Sequence, residues 1–82
     1  MSKQTLEVRV AGKNYTLVSS DPPDYVRRVA EYVDRRLNET DAVTNLPFAQ
    51  VATLTCFNLA DELIKAKDEL TKIKRRLKES EE

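Results

Sequence analysis

The sequence predicts an α+β protein in which an N-terminal β-hairpin and a short helix form a dimeric head, followed by a long α-helix forming a coiled coil. Three patterns carry this class. Apolar and polar residues alternate with period two near the N-terminus, then recur at helical spacing from Val26. From Ala49 onward they step by three and four, sustaining an a/d seam over about four heptads.

Within residues 5–10, Leu6, Val8 and Val10 alternate with Thr5, Glu7 and Arg9, as a half-buried strand requires. The chain's single glycine follows, in Ala11-Gly12-Lys13-Asn14. Gly12-Lys13 fits the Gly-X form of a two-residue hairpin turn, whose first central position favours positive φ. Residues 15–18 are rich in β-formers and return as the second strand. A two-stranded hairpin is marginal in water, so its apolar face needs a cover.

Ser20-Asp21-Pro22-Pro23-Asp24 reads as a helix start, with Asp21 or Ser20 as cap and Pro22 at the first helical position. Acidic Asp24 in the first turn suits the helix dipole. Val26, Val29, Ala30, Val33 and Leu37 then define one apolar face. Arg27, Arg28, Glu31, Asp34 and Arg35 form the outer face, with Glu31 and Arg35 at i,i+4 spacing. The pattern ends near Leu37. Asn38-Glu39-Thr40-Asp41 and Thr44-Asn45 read as a polar connector, and Pro47 opens the second helix.

Residues 46–78 predict a rod of about 50 Å at 1.5 Å per residue. Its seam runs through Ala49, Ala52, Cys56, Leu59, Leu63, Ala66, Leu70, Ile73 and Leu77. Up to Ile64 apolar residues also lie off the seam, at Phe48, Val51, Leu54, Phe57 and Ile64, so that half is expected to be buried on several sides. Beyond Lys65 only the seam is apolar. Residues 1–64 are therefore expected to form the globular head and residues 65–82 the coiled-coil extension of the same helix, with the last four residues fraying. Cys56, Leu59, Leu63, Ala66, Leu70, Ile73 and Leu77 are the expected oligomerisation residues.

Composition narrows the chemistry. A core this small contributes about 3–5 kcal/mol, and small folds usually add disulfides, a metal or a second chain. One cysteine and no histidine leave no internal disulfide and no Cys/His metal cluster, so oligomerisation remains and no cofactor is expected. Without histidine there is no Ser-His or Cys-His arrangement, and one glycine cannot make a phosphate loop. No enzyme is expected. Asp61 with Glu62 reads as a solvated pair of carboxylates. Cys56, at an a position, is expected to pack as a small hydrophobe, because burial without a basic neighbour disfavours the thiolate.

Fourteen basic and fourteen acidic residues balance, so no global field selects nucleic acid or anionic lipid. Met1-Ser2-Lys3-Gln4-Thr5 lacks the apolar core of a signal peptide, and no apolar run approaches about 18 residues. A soluble cytoplasmic protein without membrane contact is expected, and the lone cysteine agrees.

Local charge is more telling. Lys72, Lys74, Arg75, Arg76 and Lys78 suit the C-terminal end of a helix dipole. Arg27, Arg28, Arg35 and Arg36 are only partly offset by Glu31 and Asp34, and they either serve a partner or form a solvated face. No aromatics are expected to interleave with either cluster as nucleic-acid stacking requires. In a parallel pair, Glu62 and Glu69 at g face Lys67 and Lys74 at e of the mate. Residues 61–69 carry four acids against two lysines, whereas 71–78 carry five basic residues and no acid. Opposite blocks on one rod favour an antiparallel union of two dimers. Ala66 at d permits close helix approach there.

A hairpin turning at Ala11-Gly12-Lys13, then VRRVAEYVDRRLNE (26–39) and VATLTCFNLADELIKAKDEL (51–70), together resemble the ZapA family of bacterial cell-division proteins. The match runs from about residue 6 to 77, rests on the order and spacing of the three blocks, and is similar to the shorter Gram-positive members. The resemblance implies a dimerising head and a long helix that joins two dimers into a tetramer. It also implies that the assembly binds FtsZ, the tubulin-like division GTPase, and cross-links its filaments at the midcell division ring. The family's contact surface is charged residues of the head, which places partner binding on Lys13, Arg35 and Arg36. Where longer members carry more charge after the first helix, this chain has Asn38-Glu39-Thr40-Asp41. Two other classes compete: a small dimeric nucleic-acid-binding protein using the arginine face, and a coiled-coil module whose head pairs only with itself.

Overall fold

The order of elements follows from the two periodicities: β1 (Gln4–Val10), β2 (Lys13–Ser19), α1 (Pro23–Val43) and α2 (Phe48–Glu81). The computed structural model describes residues 2–81. The expected α+β class, a hairpin followed by two helices of which the second is long, is the observed one. Among the described residues, no helix is long and apolar enough to cross a membrane.

β1 and β2 pair antiparallel with Val10 opposite Lys13, Val8 opposite Tyr15 and Leu6 opposite Leu17. The turn is therefore Ala11-Gly12, one residue earlier than the Gly12-Lys13 turn expected. Both residues have positive φ, 53° and 79°, the I′ geometry whose twist matches the strands. An alanine in the left-handed region costs about 1 kcal/mol. Ala11 is held there by its N–H, which donates to Asp34 Oδ1 on α1 at 2.7 Å.

α1 begins one residue later than expected. Pro22 is extended (φ −58°, ψ 143°) and stands at the cap without a side-chain hydrogen bond. The ring of Pro23 excludes the helical region for the residue before it, so Pro23 takes the first helical position instead. Asp21 and Ser20 do not cap the helix, and the Asp21 N–H donates to Ser19 Oγ at 3.0 Å.

The far end differs more. α1 does not stop near Leu37 but runs through Asn38-Glu39-Thr40-Asp41 to Val43, leaving residues 44–47 as the connector. No glycine or proline breaks this stretch. Thr40 and Thr44 hydroxyls donate to the carbonyls of Arg36 and Thr40 at 3.1 and 2.8 Å, and Glu39 pairs with Arg35 and Arg36. The expected Glu31–Arg35 pair gives way to Arg35–Glu39, 3.7 Å. Pro47 opens α2 as expected, its carbonyl accepting from Gln50 and Val51 N–H.

The head core is Val8, Val26 and Ala30, flanked by Leu6 and Val10; Leu37 and Val51 are buried where α1 meets α2. The molecule measures 53 × 39 × 14 Å, and α1 packs against β1 and α2 while the rest of its surface stays open. Val29, expected on the apolar face of α1, is consequently exposed. Likewise, of Phe48, Val51, Leu54, Phe57 and Ile64, only Val51 is buried within the chain. α1 covers a strip one helix wide, and Phe57 and Ile64 lie outside it.

Candidate functional site

The sequence pattern places its candidate partner contacts on the surface of the hairpin and α1 and on the seam of α2. α1 rests on α2 through Val51 and Thr55, which are 1% and 2% exposed. Thr55, a polar residue that pattern reading leaves on the surface, satisfies its hydroxyl by donating to the Val51 carbonyl at 2.8 Å. With that bond made, its methyl group serves the contact as valine would.

Arg36 completes this joint. Its Nη1 donates to Glu62 Oε1 at 2.7 Å and to the Tyr32 hydroxyl at 3.2 Å, and its Nη2 meets the second Glu62 oxygen. The side chain is 17% exposed. A planar guanidinium held at both ends by one carboxylate is the geometry in which arginine binds most specifically. The hydrogen bonds from Arg36 hold the Glu62 carboxyl below the ordinary glutamate range, and those to Glu62 and Tyr32 raise the guanidinium pKa. Glu62, expected to reach Lys67 of a mate, is thus engaged within its own chain. Glu69 and Lys74 make no ion pair among the described residues.

The three residues expected to bind a partner are not one patch. Lys13, at the start of β2, places its Nζ 5.5 Å from the centroid of the Phe48 ring. Successive helical residues point about 100° apart. On α2, Phe48 and Leu54 therefore flank Val51 on opposite sides, Phe48 on the side of the seam. Arg36 shares a groove with Leu54 and Asn58 and lies across the joint from Lys13. Arg35 points outward from α1, with its side chain 64% exposed.

Aromatics do interleave with the arginines of α1, against expectation. Arg28 lies over Tyr25 at 5.7 Å, and Arg35 over Tyr32 at 5.0 Å. Two residues that outer-face reading passed over, Tyr25 and Tyr32, are 47% and 42% exposed. Their i,i+7 spacing, with Val29 between, was the available signal.

The seam is bare within the chain. Leu63, Leu70, Ile73 and Leu77 are 43–60% exposed, and Ala66 is exposed while Leu59 is partly covered. Cys56, expected to pack at an a position of a coiled coil, is exposed within the single chain.

Comparison with known proteins is consistent along the chain. The family model described as "Cell division protein ZapA" matches residues 6–82. A cell division protein ZapA of Geobacillus kaustophilus is 32% identical over 81 residues, covering 98% of this chain and 89% of that protein. One of Shouchella clausii is 36% identical over 67 residues, covering 80% and 86%. A solved ZapA mutant dimer from Geobacillus stearothermophilus superposes with a TM-score of 0.74 at 32% identity, over 95% of this chain and 92% of that chain.

Proposed function

The chain belongs to the ZapA family of cell division proteins, and on that premise we propose that it is a non-enzymatic adaptor that binds FtsZ and cross-links its filaments at the division ring. The observation that carries this reading is the bare seam of α2. A helix of 34 residues leaves the head with its a/d residues open to solvent, and a second copy covers them. The solved relative is a dimer, and a parallel mate aligns the seams so that two heads share one end. Residues 1–64 act as head and 65–82 as coil. Joining two such dimers through their oppositely charged blocks gives a tetramer with heads at both ends, which is what bridging two filaments requires.

Cross-linking of this kind needs only weak single contacts. Heads on one rigid assembly raise the effective concentration at each filament, so modest affinities multiply. We assign the direct contacts to Lys13 and Arg35 on the head surface, while Arg36 acts by fixing the angle between α1 and α2.

Sedimentation with polymerised FtsZ and GTP tests the reading, with microscopy of the pellet for bundles. The wild-type chain is expected to co-sediment and bundle. Leu70→Glu with Ile73→Glu places charge in the seam, so it is expected to leave dimers in light scattering, to retain co-sedimentation and to abolish bundles. A chain that never pellets with FtsZ, or a variant that still forms tetramers, overturns the function or the architecture respectively.

A further inference from the structure

Every residue of β2 except Ser19 is exposed. Val8 stands opposite Tyr15 and Leu6 opposite Leu17, so these side chains share the face of the hairpin on which α1 rests. α1 packs against β1, and Tyr15 and Leu17 are left 41% and 39% exposed. The backbone edge of β2 is open as well. Val10 and Lys13 flank a two-residue turn and exchange hydrogen bonds, and bonded pairs alternate along the ladder. Asn14, Thr16 and Val18 therefore turn their backbone N–H and C=O groups away from β1. Among the described residues the sheet has two strands, and no backbone bond outside it reaches these groups. The outer edge of β1 carries Glu7 and Arg9, charges of the kind that guard an edge, whereas residues 14–19 have neither charge nor proline. An open ladder beside exposed apolar side chains is the arrangement that takes up another strand.

We infer that β2 pairs antiparallel with β2 of a second copy, making one four-stranded sheet across a two-fold axis, with the β1 strands outermost. The sequence of β2 is its own complement when the pairing centres on Thr16. All of β2 then lies in the ladder. Tyr15 meets Leu17 of the second copy on the helix face, and Thr16 meets its twin on the other face, both favourable cross-strand pairs. Lys13, the one charge of β2, falls at the end of the ladder opposite Ser19. Centring on Tyr15 instead sets Lys13 against Leu17, and centring on Leu17 leaves Asn14 outside the ladder. Helix spacing selects the same edge. With α1 under β1, pairing through β2 holds the two first helices three strand spacings, about 14 Å, apart, and Tyr15 and Leu17 of both copies fill the gap. Pairing through β1 would set them one spacing, about 5 Å, apart, closer than the 8–10 Å at which helices pack. A self-complementary strand fits a chain whose solved relative is a dimer. The contact rests on these residues alone, draws nothing from the seam and stands apart from the adaptor reading.

Amide hydrogen exchange of the full-length wild-type chain, read by NMR, tests the edge without a mutation. The outward amides of Asn14, Thr16 and Val18 are expected to exchange at least about tenfold more slowly than those of Glu7 and Arg9, the outward amides of the open β1 edge. Equal exchange at the two edges overturns the inference. Oxidative cross-linking then reads the register, in a Cys56→Ser background so that only introduced thiols react. Thr16→Cys is expected to give a covalent dimer on non-reducing gels, because Cα atoms of a bonded antiparallel pair lie about 5.5 Å apart, within disulfide reach. Asn14→Cys alone is expected to give none, since its twin stands four residues along the strand, about 13 Å away. Refolded together with Val18→Cys, it is expected to give the mixed dimer. Absence of the Thr16→Cys dimer, or an equal yield from Asn14→Cys alone, overturns the pairing. The Thr16→Cys cross-link is expected to persist when Leu70→Glu and Ile73→Glu are added, and its loss there would make it a by-product of the coil. A wild-type chain that pairs through β2 but never pellets with FtsZ ends the adaptor reading and leaves the sheet standing.

Discussion

Asp34 and Arg36 sit two positions apart on α1 and point to nearly opposite sides, and each fastens a different element. Asp34 Oδ1 takes the N–H of Ala11 and so pins the strained turn to the helix. Asp34→Ala is expected to lower stability by about 1.5–2 kcal/mol, the lower part of the range for a hydrogen bond to a charged group. Asp34→Asn keeps an acceptor and is expected to lose about half of that. Urea unfolding of both variants checks this, and equal stability of alanine and wild type would sink it. Arg36 pins α1 to α2 through Glu62, whose folded pKa is lowered. A depressed carboxylate stabilises above its unfolded value of about 4.3, and the contribution is lost as pH falls through the lower folded value. The wild type is therefore expected to lose stability below about pH 4.3 more steeply than Glu62→Gln, and less so in high salt. Superimposable acid limbs in urea titrations of the two would remove the pair from the stability of the joint.

Each helix is decided by what it faces. α1 is longer than its apolar repeat because its last two turns, past Leu37, are held by threonine back-bonds and glutamate pairs rather than by a hydrophobic face. α2 meets its own chain on the Val51–Thr55–Glu62 side and leaves the seam for another copy. Cys56 reports on that second helix directly. In a parallel, in-register pair an a-position cysteine faces its twin, and the two can approach to disulfide distance. Mild oxidation is expected to give a covalent dimer on non-reducing gels, and Cys56→Ser none. Failure of the wild type to cross-link would point to an antiparallel or staggered dimer.

A body 14 Å thick has almost no interior, and among the described residues Val8, Val26, Ala30, Leu37 and Val51 are the buried apolar ones. If folding and association form one equilibrium, stability depends on protein concentration. The melting temperature is expected to rise with protein concentration over a hundredfold range, by several degrees. A melting temperature independent of concentration in circular dichroism would show a stable folded monomer.

Periodicity alone carried the element order, the long seam and the need for a second copy, because alternation and heptads are local properties of a chain. The blocks 26–39 and 51–70 were enough to resemble the family to which the chain belongs. Residues that act at contacts between elements were not legible in that way. Thr55 reads as polar until its hydroxyl is seen to bond its own helix. Arg36 reads as a free cation until Glu62, 26 positions on, is brought to it. Tyr25 and Tyr32 belong to neither the apolar nor the outer face that the sequence pattern marks, and the structure leaves them exposed beside Val29. Which residues are spent inside the chain and which stay open for a partner is settled by which helix faces meet, and that is a property of the tertiary structure.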